Sequence, residues 1–491
     1  MRPPVAARAS VAASVIGALA LVAIVGLVLA IVLAAAERPS FLSPFTSADY
    51  FPHWMAGPLA GLVPSLTHDD SNLRGLISAA IALAFVGYLV ALWLAPNLRT
   101  GWIVAAIVAV QVVLFLSPPL FSTDVFNYLN YGRMGVVHGL NPYTTIPLIE
   151  PHSDPTFAIS NWHRLLSPYG PLFTLLTYAL VPIGVAASFW TIKALIGLAF
   201  LATLGLLWRC AELLGRSPRT AVVLVGLNPL VLVWGLGADH NDALMMLLVV
   251  LSLYLALRAR EAAGLGIAPP PAGSGSVARL RAVASPDRLA FASGVALIAA
   301  VAVKASAGIL VPVFLLAFGQ RRAKLAGAVS AGVVLAVVSL LAFGAHVPGL
   351  GEQAKLVTPL GLPNVVGVLL GLGGETTGLH TVLDVVLVAT VLIAAIVTFR
   401  HPERGVGAAF ACVLVLAATL SWSGAWYVLW VLPFAALLPG WAARTSVLAL
   451  SAFLILAFAP NEPLVHRPLS LPLYTTALGL AHTDEINALL H

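Results

Sequence analysis

Charge is what this chain has least of. Asp, Glu, Lys and Arg make up 9% of its 491 residues, against about 25% in a typical soluble domain. So few charges cannot coat a water-facing surface, which excludes a soluble globular fold and makes lipid the solvent. Cysteine is nearly absent as well. Cys210 and Cys412 lie in or beside apolar runs, so neither a structural disulfide nor a metal site is expected. No Gly-rich loop or nucleotide-binding pattern is present. The net charge of +6 sits in short Lys/Arg clusters between apolar runs, a cytoplasmic-loop pattern that points to no nucleic-acid partner.

Hydrophobic side chains make up 60% of the chain. Backbone polar groups must be satisfied within lipid, so each long apolar run is expected to be a helix of an all-α polytopic membrane protein. The first, Val11–Ala36, exceeds the roughly 7–15 residues of a signal-peptide core and is read as a retained helix with a cytoplasmic N-terminus. Arg99, Arg209/Arg216/Arg219, Arg258–Arg288, Arg321/Arg322/Lys324, Arg400/Arg404 and Arg444 are assigned to the cytoplasm. Two runs break the alternation this imposes. Pro171–Ala187 is short, contains Pro182 and Gly184, and is expected to be a half-helix or a membrane-edge helix. Leu289–Phe318 has basic clusters on both flanks and is expected to be a re-entrant hairpin bending near Lys304. The remainder, including Ala221–Trp234 as one helix, gives about 11 full crossings.

The chain then reads as one transmembrane domain, 1–491. It has a large extracytoplasmic loop at 118–170, a flexible cytoplasmic linker at 259–288 rich in Pro, Gly and Ser, and an extracytoplasmic tail at 460–491.

The polar residues hardest to explain as loop decoration gather on the outer side. With Thr123 as a cap, Asp124, Asn127, Tyr128 and Tyr131 fall on one helical face, joining a carboxylate to hydrogen-bonding aromatics that suit a sugar. A first-turn acid favoured by the helix dipole reads equally well. Gly139-Leu140-Asn141-Pro142-Tyr143 is a turn. Asn161-Trp162-His163-Arg164, before Tyr169, fits either phosphate binding or interfacial anchoring. Asp239-His240-Asn241-Asp242 joins two apolar helices too tightly to lie far from the bilayer, and reads as a recognition site or a capped turn. Lys304 stands alone in an apolar run, where an anionic headgroup would pair with it. Trp422, Trp426 and Tyr427, with Trp430 one turn on, form either an aromatic belt or a sugar platform.

In this order the motifs resemble a family. Asp124, Tyr131-Gly132-Arg133, Gly139-Leu140-Asn141-Pro142-Tyr143, Tyr169-Gly170-Pro171-Leu172, Asn228-Pro229-Leu230, His240-Asn241-Asp242-Ala243-Leu244, Lys304 and Ala425-Trp426-Tyr427-Val428-Leu429-Trp430 look like the GT-C superfamily of lipid-linked-sugar glycosyltransferases. More narrowly, they are similar to the actinobacterial polyprenol-phosphomannose-dependent α-1,6-mannosyltransferases of lipomannan-type glycolipids. The resemblance spans roughly Phe121 to Trp430.

It implies a GT-C-like fold in the plasma membrane with an extracytoplasmic active site. The implied partners are membrane lipids, a polyprenyl-phosphate mannose donor and a mannoside glycolipid acceptor, with no cofactor. Asp124 would be the general base of an inverting transfer, with Arg133, Arg164, His240 and Lys304 as candidates for the leaving phosphate. Asn127, Tyr128, Tyr131, Tyr143, His163, Tyr169, Asn241, Asp242, Trp422, Trp426 and Tyr427 would contact sugar or acceptor. No second carboxylate is expected beside Asp124, which would act without the acidic pair some superfamily members show, and Asp154, Glu150 or Asp242 is an alternative base. Transfer of another polyprenyl-phosphate sugar such as arabinofuranose, a lipid-linked glycan flippase, and a glycan ligase remain as rival readings.

Overall fold

The computed structural model describes residues 5–37, 52–63, 70–265, 285–354, 356–358 and 360–460. All but the first residue of the expected tail at 460–491, much of the linker at 259–288, and part of Glu37–Asn72, which the alternation of basic loops assigns to the outer side, lie outside the described residues. Among the described residues all regular structure is helical. In chain order the α-helices are α1 (Val5–Glu37), α2 (Asp70–Leu94), α3 (Thr100–Phe115), α4 (Asp124–Val136), α5 (Pro171–Leu180), α6 (Val185–Leu213), α7 (Pro218–Gly226), α8 (Asp242–Ala262) and α9 (Pro286–Val303). They continue as α10 (Val311–Leu316), α11 (Arg321–Phe343), α12 (Leu350–Gln353), α13 (Leu362–Leu369), α14 (Thr377–Arg400), α15 (Gly405–Thr419), α16 (Val428–Leu437) and α17 (Ala442–Phe458). Eight of the described helices are long and apolar enough to cross a membrane, and five further apolar helices are shorter. The protein is a polytopic, all-helical membrane protein.

Helix boundaries follow local chemistry. Ser217 and Ser285 cap α7 and α9 by accepting the amides of Thr220 and Arg288, with a proline at the next position, where no intrahelical amide is lost. Thr376 caps α14 in the same way, through Leu379.

Two ends can be told apart. At one, Arg219 donates to the carbonyls of Pro96 and Leu98, Arg216 to that of Leu437, and Arg321 to that of Phe399. At the other, the Leu120 amide donates to Gly237, the Gly170 amide to Val303, the Gly349 amide to Ser167 and the Thr358 amide to Ser421. Basic loops thus gather at one end, and the connections richest in polar motifs gather at the other.

The run 289–318 is broken as expected. Helix α9 stops at Val303, Lys304 is extended, and a 3-10 turn (Ala305–Leu310) leads into the short α10. Val303 lies at the loop end against Gly170, while the Phe318 amide reaches the Pro402 carbonyl at the basic end. The segment therefore folds back, and Lys304 marks its tip. Helix α5 is short, ends in a 3-10 turn, and turns through Gly184 (φ +85°) into α6.

The run Ala221–Trp234 is not one helix, and that expectation is corrected. Helix α7 ends at Gly226, the Asn228 side chain accepts the Leu230 amide, and a π-helical segment, Val231–Leu236, follows. Pro229 disfavours helical backbone at the residue before it, and the asparagine amide takes the place of the lost ladder. The stretch Gly344–His380, which the alternation of basic loops assigns to the outer side, holds α12, α13 and the first turn of α14.

Candidate active site

Helix α4 begins at Asp124. Its first amide is accepted by the Ser122 hydroxyl at 3.2 Å, while the Thr123 hydroxyl donates to Asn161 instead of capping. The carboxylate is held from two sides. Oδ1 accepts the Trp162 indole N–H at 3.2 Å, and Oδ2 lies 3.3 Å from Nδ1 of His240, off the line of a good hydrogen bond. Burial opposes ionisation of Asp124, but His240, Trp162 and the nearby Lys304 ammonium outweigh it and hold the carboxyl below its ordinary range.

The turn before α8 supplies the facing wall. A π-helical segment adds backbone relative to an α-helix and often marks a functional site. Here it leads into Gly237–Asn241, whose Asp239 has φ +58°. His240 stacks on Trp426, with ring centroids 3.6 Å apart. The Asn241 amide donates to the Tyr128 hydroxyl at 3.3 Å. Asp242 accepts the Trp430 indole N–H at 2.6 Å through Oδ1 and the Lys304 ammonium at 2.8 Å through Oδ2. Lys304 also faces the rings of Tyr427 and Trp430, 5.4 and 5.7 Å from their centroids, and those two rings stack at 4.0 Å.

Several buried polar atoms here have no protein partner. They are Nε2 of His240, both side-chain polar atoms of Asn241, and Nε1 of Trp426. Orphans of this kind cost roughly 1–3 kcal/mol each, so a group of them beside one carboxylate marks a place built for a polar ligand.

The structure brings Asp124, Trp162, His240, Asn241, Trp426 and, through Asp242, Lys304, Tyr427 and Trp430 into one cluster. A second carboxylate does stand in it. Asp242 is remote from Asp124 in sequence, which hid the pairing. The Trp422 indole packs edge-on to Trp162 at 5.7 Å and extends the aromatic wall. Behind it, Glu375 accepts from the Ser421 hydroxyl at 2.6 Å and faces His380 at 2.9 Å, fastening the turn that carries Trp422.

Other candidates turn inward as scaffold. Asn127 accepts the Asn161 and Trp162 amides, the Tyr131 hydroxyl donates to Leu165, and the Tyr143 hydroxyl donates to Tyr169. Tyr169 packs edge-on against Tyr128. His163 stacks on Phe157 at 4.0 Å and meets Ser160, and burial pushes its imidazole pKa down. Arg133 is not brought to Asp124. It lies nine residues along the same helix, about 13 Å by helical rise, and is tied to Asp154 at 2.9 Å. Burial raises the Asp154 carboxyl, but Arg133, Thr156 and His138 overcome that and hold it far below its ordinary value. Burial pushes Glu150, beside Asn130, up to about 7. Arg164 is exposed.

Lys193 has no counterpart among the sequence candidates. This buried cation of α6 sits 3.1 Å from Asp239. Among the described residues, no group of three or more His, Cys, Asp or Glu is arranged to hold a metal ion.

Residues 70–320, half of the chain, match the family described as alpha-(1->6)-mannopyranosyltransferase, N-terminal domain. The chain is 29% identical to alpha-(1->6)-mannopyranosyltransferase A of Mycobacterium tuberculosis, over 79% of this chain and 77% of the relative. It is 30% identical to a probable alpha-(1->6)-mannopyranosyltransferase of Mycolicibacterium smegmatis, over 68% and 64%, and 27% identical to alpha-(1->6)-mannopyranosyltransferase B of Corynebacterium glutamicum, over 75% and 66%. No solved structure matches.

Proposed function

The chain belongs to the alpha-(1->6)-mannopyranosyltransferase family, and from that premise we propose that it moves mannose from a polyprenyl-phosphate donor to a hydroxyl of a mannoside glycolipid, with inversion, at the extracytoplasmic face of the plasma membrane. The observation that carries the reading is the Asp124 cluster: an ionised carboxylate, oriented by two side chains, beside unpartnered buried polar groups.

Asp124 takes the proton of the acceptor hydroxyl. The hydroxyl oxygen attacks the anomeric carbon from the face opposite the phosphate, and the bond from that carbon to the phosphate oxygen breaks. The electron pair leaves with the polyprenyl phosphate, and a β-linked donor gives an α-linked product. The leaving phosphate is anionic, and cations aimed at it lower the barrier. Lys304 suits this role, because an ammonium has three donors and Asp242 takes one of them. Arg164, exposed and two residues beyond Trp162, is a second candidate. Arg133 is committed to Asp154 and is read as a brace of the outer loop. Trp162, Trp422, Trp426 and Tyr427 present flat amphipathic faces to sugar rings.

The test is transfer by purified protein in detergent, offered polyprenyl-phosphate mannose or GDP-mannose with a short mannoside. α-Linked product from the lipid donor alone is expected. A β-linked product, or use of the nucleotide donor, contradicts the proposal. So does failure with mannose alongside transfer of another polyprenyl-phosphate sugar.

A further inference from the structure

Next to His240 of the Asp124 cluster lies a buried ion pair that no step above uses. Nζ of Lys193, within the membrane-spanning α6, is 3.2 and 3.1 Å from the two carboxylate oxygens of Asp239, and 3.4 Å from the Ser117 hydroxyl. Both partners are buried, at 3% and 0% exposure. Exchange of such a pair for apolar side chains of similar size is often neutral for stability, so stability is a poor account of its presence.

Its position suggests another role. Asp239 is the residue before His240, and its backbone is in the left-handed region at φ +58°, which few non-glycine residues adopt. The Asp239 and His240 amides donate to Leu236 and Gly235 within the same segment, and the Gly237 carbonyl accepts Leu120. Beyond His240, the Asn241 amide donates to Tyr128, and Asp242 is held by Trp430 and Lys304. Among the hydrogen bonds of Asp239, Lys193 supplies the one that fastens it to a long helix. On the far side of the same turn, His240 lies against Trp426 and 3.3 Å from Asp124, with no well-aligned hydrogen bond of its own. An imidazole so loosely bonded takes its place from its backbone.

We propose that Lys193, acting through Asp239, is a positioning residue that sets the turn so that His240 faces Asp124. The role rests on the reading of Asp124 as base and adds a part that touches no substrate. A misplacement of about 1 Å at a reacting group costs on the order of a hundredfold in rate.

The test uses three full-length proteins in detergent. In Lys193→Met with Asp239→Asn, both charges are removed and a residue that tolerates left-handed backbone is kept. The protein is expected to melt within a few degrees of wild type, with kcat lowered roughly 10–100-fold and donor KM little changed. In Lys193→Gln with Asp239→Asn, one hydrogen bond across the same gap is kept, and most of the lost turnover is expected to return. In Lys193→Arg, the charge is kept but the donor is moved, and kcat is expected to fall. A readout independent of turnover is acylation of His240 by diethyl pyrocarbonate, followed by mass spectrometry. It should be faster by about tenfold in the Met/Asn protein than in wild type, with the other histidines unchanged.

Unchanged His240 reactivity in a folded Met/Asn protein overturns the proposal, whether or not wild type turns over. Equal loss of kcat in the Met/Asn and Gln/Asn proteins also overturns it, because the charge and not the placement would then matter. If the Met/Asn protein does not fold, the Arg protein decides, and wild-type turnover with wild-type His240 reactivity there overturns the proposal. Wild-type inactivity on every donor, with the predicted reactivity change present, sinks the proposed transfer and leaves the positioning role standing.

Discussion

Asp124 has a polar face on one side and a helix N-terminus on the other, and its low pKa depends on what faces it. A base works only when ionised, so activity is lost as pH falls through the folded-state pKa. That pKa is depressed, and the acid limb of kcat/KM is therefore expected below the ordinary aspartate value of about 3.9. His240→Phe removes the main opposing influence and should move the limb upward. An unmoved limb would mean that His240 does not act on the base. Glu150 has the opposite sign. Burial raises its pKa from the ordinary 4.5 to about 7, so its stabilising contribution is full below the first value and lost as pH rises through the second. The melting temperature of wild type should decline by a few degrees across that window, and that of Glu150→Gln should stay flatter.

At this scale the sequence was legible where a residue type was out of place. Asp239-His240-Asn241-Asp242 stood out as ionisable residues between apolar runs, and the structure puts all of them under cover. Lys193 carries the same signal as Lys304, a lone cation in an apolar run, and was readable by that rule. The pairing of Asp242 with the Asp124 cluster was not readable, because it depends on how α8 meets α4 through the Tyr128 hydroxyl.

Elements were legible when topology constrained them. Basic flanks on both sides of 289–318 demanded a return, and the chain turns at Lys304. The break at Asn228-Pro229 had a local signal, since the residue before proline resists helix, but apolar periodicity spoke more loudly. Close packing sets where the Lys304 tip lies. A Cβ at Gly294 would overlap the Lys324 carbonyl, and one at Gly327 would overlap that of Phe291, so α9 and α11 touch backbone to backbone. Gly327→Ala must push these helices apart and is expected to destabilise by about 1–3 kcal/mol. It should also lower turnover by displacing Lys304. Thermal unfolding in detergent with a parallel rate measurement checks both, and a fully stable, fully active variant would contradict the packing.

Across the whole molecule, basic loops and the candidate site occupy opposite ends. If Lys- and Arg-rich loops stay in the cytoplasm, the site opens outside. Cys210 and Cys412 are buried, which leaves a quiet background for labelling. In intact cells an impermeant maleimide should modify a cysteine placed at Thr144, in the site-end loop, and spare one at Arg404. The reverse pattern would place the site inside.

The most direct trial of the account is mannosyl transfer from polyprenyl-phosphate mannose by wild type and by Asp124→Asn, both folded. The amide keeps the size and can still accept the Trp162 N–H, but it cannot serve as the base. Loss of the base is expected to lower kcat by roughly 10²–10⁴. Wild-type turnover in the asparagine variant would contradict the central claim, and Asp242 would become the carboxylate to examine next.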